Sequence, residues 1–149
     1  MPGSITTAIT QTTKVDFFNG TDLAANTYKC ALIKVGCAGT YDKLTTGAGT
    51  PGTGAPSTSN LGTDEVTGTG YTTGGVALTR QAPAAGDTVY LDFDDAVWAA
   101  STISAIGCMI YNDSVAGKPV LMVKGFGGTV VSTAAEFRVA ITNLLSMTG

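Results

Sequence analysis

The chain has 149 residues, enough for one domain that buries about 68 to 70% of its unfolded surface without help from disulfides or metals. Charge is sparse at 13% with a formal net charge of -3, so the clustered Lys and Arg of a nucleic-acid binder are excluded, and no apolar run approaches the ~18 residues of a membrane span. With His 0, Ser-His-Asp triads, Cys-His pairs and histidine-built zinc sites are excluded as well.

Abundant Thr, Val and Gly with little Lys, Glu or Leu favour strands and tight turns over long helices. The expected class is all-β, an antiparallel β-sandwich of jelly-roll or immunoglobulin-like type. Residues 1–14 (MPGSITTAITQTTK) show no sustained alternation and are expected to form an extended N-terminal arm ordered by a partner, with Ile5 and Ile9 as candidate partner contacts. Residues 15–149 are expected to form the single sandwich domain. A short apolar segment at 15–18 (VDFF) precedes an Asn19-Gly20 turn, and the first clear strand is 28–35, YKCALIKV.

Residues 36–63 carry Gly, Pro, Ser or Thr at most positions and little to bury, which predicts a long exposed loop with a helical turn near 40–44. The stretch 64–75, DEVTGTGYTTGG, then hands this loop to a strand at 76–81. A turn at 83–87 leads to 88–93 (TVYLDF), where Val89, Leu91 and Phe93 share one face. The segment 94–102 (DDAVWAAST) reads as a short connection whose Trp98 caps the core. Residues 103–111 (ISAIGCMIY) are apolar on both alternating faces, as in a central strand covered on both sides.

A hairpin turn at 112–119 gives way to a paired strand at 120–126, VLMVKGF, and a Gly127-Gly128 turn introduces a last strand. In that strand Phe137, Val139 and Ile141 face one way, and Glu136, Arg138 and Ala140 the other. The apolar tail 143–149 supplies Leu144, Leu145 and Met147 as further candidate partner contacts. Three cysteines, Cys30, Cys37 and Cys108, cannot all pair and lack CxxC spacing, so they are expected as buried free thiols.

The glycines of 64–75 invite a phosphate-loop reading, which the sequence does not support. A Walker loop needs Gly-Lys-Ser/Thr after its fourth spacer residue, and no lysine is near Gly68, Gly70, Gly74 or Gly75. The dinucleotide spacing fails too, because three residues separate Gly70 from Gly74. Turn-forming glycines with Tyr71 as an anchor fit better. Asp92, Asp94 and Asp95 are the right residue type for calcium but lack EF-hand spacing. Paired carboxylates for sugar hydrolysis have no sequence signal that brings two together. No cofactor and no enzymatic activity are expected.

Five pieces follow one another between residues 28 and 142: YKCALIKV (28–35), EVTGTGYTTGG (65–75), DDAVWAAST (94–102), GCMIYND (107–113) with GKPVLMV (117–123), and a last strand with Phe137. In this order they resemble a family of small β proteins from tailed bacteriophages that decorate the capsid or form the base of a head fibre. The resemblance implies a structural virion protein without catalytic residues, made in the bacterial host cytoplasm. It also implies binding to the major capsid protein on the outer capsid surface, as a homotrimer. A carbohydrate-binding or adhesin-like sandwich, with Trp98, Tyr71 or Tyr90 stacking on sugars, is the alternative, as is a tail or fibre component built on the same module.

Overall fold

A computed structural model describes residues 2–19, 24–83, 86–142 and 144–148. The turns expected at 19–20 and 83–87 fall partly outside them, as does the start of the 143–149 tail. The elements are β1 (Ser4–Ile5), β2 (Ala8–Ile9), α1 (Gln11–Phe18), β3 (Tyr28–Lys34), β4 (Thr40–Tyr41), β5 (Val76–Leu78), β6 (Thr88–Leu91), β7 (Ala96–Asn112), β8 (Val120–Val139) and β9 (Leu145–Thr148).

The all-β, antiparallel architecture expected from the sequence is what forms. Its centre is a five-stranded sheet in the order β2-β8-β7-β3-β5, with antiparallel neighbours throughout. β3 and the second half of β7 alternate apolar residues on both faces, and both faces are buried. On one face Cys30, Leu32, Cys108 and Ile110 pack with Phe93, Trp98 and Phe137. On the other, Ala31, Ile33, Met109 and Tyr111 pack with Cys37, Tyr41, Ala48 and Leu61. The three cysteines are free and buried, as expected.

That second apolar layer corrects the reading of 36–63 as an exposed loop. The segment is instead folded onto the sheet by anchors at Cys37, Tyr41, Thr45, Ala48 and Leu61, all buried. Between anchors its backbone groups pair, with Thr46 N–H donating to Thr58 O at 2.6 Å and Leu61 N–H to Ala48 O at 2.9 Å. Such irregularly spaced anchors leave no period in the sequence, which is why the segment reads as empty. Near 40–44 there is a strand, β4, followed by a turn in which Leu44 N–H donates to the Asp42 carboxylate at 2.7 Å, rather than a helical turn.

The N-terminal segment is likewise held by its own chain. β1 pairs parallel with β4, Ser4 against Thr40, and β2 lies against β8, Ile9 against Met122. Helix α1 follows, capped by Thr10, whose side chain accepts from Thr13 N–H. The hydroxyls of Thr10 and Thr13 are buried and donate to the Val120 carbonyl, Thr13 at 3.2 Å. Thr-rich composition hides this docking because the contacts are made by hydroxyls, backbone pairing and the single apolar anchor Ile5, and not by an apolar stripe.

Two boundaries move. The 94–102 segment is no connection: β7 begins at Ala96, and Trp98 sits opposite Phe137. The acidic pair before it terminates the strand end, with the Asp95 carboxylate accepting from Ile141 N–H at 2.9 Å and from Arg138 at 3.1 Å. The Gly127-Gly128 turn is also absent, since β8 runs as one 20-residue strand through it. Ala105 pairs with Val130 and Gly107 with Gly125, so Phe126–Thr129 bulge out opposite Ile106. Paired glycines suit a bulge as well as a turn, and the sequence does not distinguish them.

Candidate partner-docking surface

The stretch 64–75 is where the chain's ionisable groups are most deeply used. It continues the β5 side of β3 beyond the residues paired with β5, with Val66 N–H donating to Leu32 O at 3.0 Å, then bridges to β7 through Thr69 and Thr102. Asp64 and Glu65 are both buried and reach to different partners. The Asp64 carboxylate accepts from Ala38 N–H at 2.9 Å, Gly39 N–H at 2.7 Å and the Tyr41 hydroxyl at 2.8 Å. Glu65 Oε1 accepts from the Tyr71 hydroxyl at 2.7 Å and Gly74 N–H at 2.6 Å, while its Oε2 has no hydrogen-bond partner among the described residues.

Burial pushes the Glu65 carboxyl above its ordinary value of 4.5, against the opposing pull of Tyr71, Gly74 and Lys29. Burial and the neighbouring Glu65 carboxylate likewise raise the Tyr71 hydroxyl, which itself accepts from Leu32 N–H at 3.0 Å. The glycines serve close approach: a Cβ on Gly75 would lie 1.8 Å from Cys30 O, and one on Gly70 2.2 Å from Ala100 O. The Asp64 and Glu65 carboxylates and the Tyr71 hydroxyl each hold backbone N–H groups of other segments or of the stretch itself, so the stretch is a clamp between layers.

The expected aromatic and acidic sites resolve in the same direction. Trp98 is 3% exposed, stacked on Tyr71 at 5.8 Å and edge-on to Phe137 at 5.9 Å, so its ring is not presented to a sugar. Asp94 accepts from the Gln81 amide, Asp95 is taken by Ile141 and Arg138, and Asp92 accepts from Phe93 N–H at 3.0 Å. Hydrogen bonds from Ile141 and Arg138 hold the Asp95 carboxyl below its usual range. Among the described residues no group of three Asp, Glu, Cys or His is arranged to hold a metal ion.

The surface that gathers apolar side chains at the solvent lies elsewhere, between α1 and the β6–β9 ribbon. In this ribbon Val89 pairs with Met147 and Leu91 with Leu145, and the Thr88 and Thr148 hydroxyls close its end at 3.0 Å. Threonine anchorage of α1 on β8 brings Phe17 to the ribbon, and pairing of 79–81 with 92–94 brings Arg80 and Pro83. These side chains line an open cleft of about 130 Å³. Met147 is 50% exposed and Tyr90, which also lines the cleft, 41%.

Of the five candidate contacts, the structure brings Leu145 and Met147 together in this cleft. Leu144 turns to the core and lines a smaller cavity with Cys108 and Ile110. Ile5 packs against the second apolar layer, and Ile9 lies on the β8 edge, so neither joins the cleft. Sequence reasoning missed Phe17, Arg80 and Pro83, which have no periodic signal. Val89, Leu91 and Phe93 are visible through their alternation as a core face: Phe93 is buried in the core and Leu91 packs on it while also lining the cleft, and Val89 lines the cleft. A second exposed region is the outer side of β8, where Val130 and Val131 are exposed and no strand lies beyond β2 among the described residues.

No protein-family model, curated protein or solved structure matches this chain.

Proposed function

We propose that this chain is a structural virion protein that binds the outer surface of a tailed-bacteriophage capsid and stabilises it by bridging neighbouring shell subunits. The observation that carries the reading is the division of labour in the side chains. The buried carboxylates Asp64 and Glu65 and the threonines of α1 are spent on fixing backbone, whereas apolar Leu145, Met147, Val130 and Val131 reach the surface at two separate places. A rigid body with two apolar contact regions suits a protein that bridges two neighbours.

The order of sequence motifs points the same way. Repetition over many shell sites lets modest individual contacts suffice through avidity. Assembly as a homotrimer against the major capsid protein would bury part of the same apolar surface between copies. Cryo-electron microscopy of the virion tests the reading: density for this chain on the outer shell is expected, and density confined to the tail, or absent, would overturn it. Light scattering of the purified chain checks the trimer, and a monomer at micromolar concentration refutes that part.

A further inference from the structure

The cleft between α1 and the β6–β9 ribbon joins apolar walls to one unsatisfied cation. Phe17, Val89, Leu91, Leu145 and Met147 form its sides, and Arg80 also lines it. Of the eight Lys and Arg, Lys29, Lys34, Lys118 and Arg138 sit against a carboxylate of this chain, whereas Lys14, Lys43, Lys124 and Arg80 have no ion pair among the described residues, and of these four Arg80 lines the cleft. Arg80 makes no ion pair or hydrogen bond among the described residues, although the chain carries more acids than bases. A guanidinium held beside an apolar cleft attracts a carboxylate on whatever fills that cleft, and its planar fork fits one bidentately. At about 130 Å³ the opening is close to an engineered cavity of ~150 Å³ that holds one benzene, so it takes one apolar side chain.

We propose that this cleft docks an extended segment of the shell protein in which an apolar side chain enters between Phe17 and Leu145 while a neighbouring Asp or Glu carboxylate pairs with Arg80. The proposal rests on the capsid-binding reading for the identity of the partner, and on the cleft alone for its chemistry. Insertion of the side chain removes Met147 and Leu91 from water, and the ion pair fixes the direction in which the segment crosses the ribbon.

The test uses the full-length, isotope-labelled chain and two blocked tetrapeptides, acetyl-Ala-Leu-Asp-Ala-amide and its Asn counterpart, followed by NMR shifts. The Asp peptide is expected to perturb Phe17, Leu91, Leu145 and Met147 and to bind roughly threefold to tenfold more tightly than the Asn peptide. Arg80→Gln is expected to abolish that preference without changing the circular dichroism spectrum or the weak binding of the Asn peptide. Equal binding of the two peptides, a preference that survives Arg80→Gln, or shifts outside the cleft would overturn the proposal. Co-sedimentation with shells lacking the chain separates the two readings. If the peptide preference holds but the wild type does not bind shells, the capsid reading falls alone. If wild type and Arg80→Gln bind shells equally and no peptide preference is seen, the cleft proposal falls alone.

Discussion

Replacing Glu65 by Gln and by Ala separates what its carboxylate does from what its charge costs. The side chain is 3% exposed, and Oε1 takes two donors, the Tyr71 hydroxyl and Gly74 N–H, while Oε2 takes none. Glu65→Ala leaves both donors without an acceptor at about 1–3 kcal/mol each, so a loss of about 3 kcal/mol is expected. Glu65→Gln keeps an oxygen for both donors and removes a buried charge. Its amide nitrogen inherits the unpartnered position, and the net change at pH 8 is expected between zero and a gain of about 1 kcal/mol.

The pH dependence gives the sign. Burial raises the folded-state value of Glu65 above 4.5, so its favourable contribution is fully present below 4.5 and is lost as pH rises through the raised value. The stability difference, Gln variant minus wild type, should therefore increase from pH 4.5 to pH 8. Urea unfolding followed by circular dichroism at both pH values and at pH 6 measures it. A difference that is flat or falls with pH, or an Ala variant as mild as Gln, would refute the reasoning.

Trp98→Ala empties the site between Tyr71 and Phe137 and should cost about 3–5 kcal/mol. Trp98→Phe should cost within about 1 kcal/mol, because losing ring area is offset by removing an indole N–H that is buried without a partner; equal costs in chemical denaturation would refute this. Gly75→Ala, with φ at 79° and a Cβ 1.8 Å from Cys30 O, should exceed about 4 kcal/mol or yield insoluble protein, whereas Gly117→Ala, at φ 77° but in open space, should cost about 1 kcal/mol. Removing residues 1–14 strips β1, β2 and the Thr10 and Thr13 hydroxyls from the sheet and should lower stability by at least about 2 kcal/mol. A truncated chain with an unchanged urea midpoint would show that this docking adds nothing.

Strands whose two faces are both apolar were legible, because β3 and the second half of β7 announce themselves by composition as well as by period. The alternation of Phe137, Val139 and Ile141 against Glu136, Arg138 and Ala140 also translates directly into buried and exposed. What escaped was structure made by side-chain oxygens and single anchors. Thr10 and Thr13 dock a helix through hydroxyls, and Asp64 ties down Ala38 and Gly39 through their backbone N–H groups and Tyr41 through its hydroxyl, neither of which leaves a hydrophobic pattern. Gly127-Gly128 is ambiguous in principle, since turn and bulge need the same backbone freedom. The cleft was half legible: Leu145 and Met147 stand out in the tail, but only tertiary pairing brings Phe17 and Arg80 beside them.

The two contact regions rest on different elements and share the core cluster through Leu91, which bears on how a bridging protein would work. From the Glu65 clamp an aromatic chain runs outward through Tyr71, Trp98, Phe137 and Phe126, with centroid spacings of 5.8, 5.9 and 6.2 Å, and ends at the bulge of β8 beside Val130. Loosening Glu65 should therefore disturb the β8 edge first. The cleft stands on a separate two-stranded sheet, β6 with β9, and on α1, which is tied to β8 by threonines and not by that aromatic chain. Glu65→Ala should accordingly raise amide exchange along 126–137 while leaving Leu145 and Met147 little changed, and Arg80→Gln should do neither. If Glu65→Ala instead opens both regions together, the body unfolds as one unit, and the surfaces cannot engage two neighbours independently.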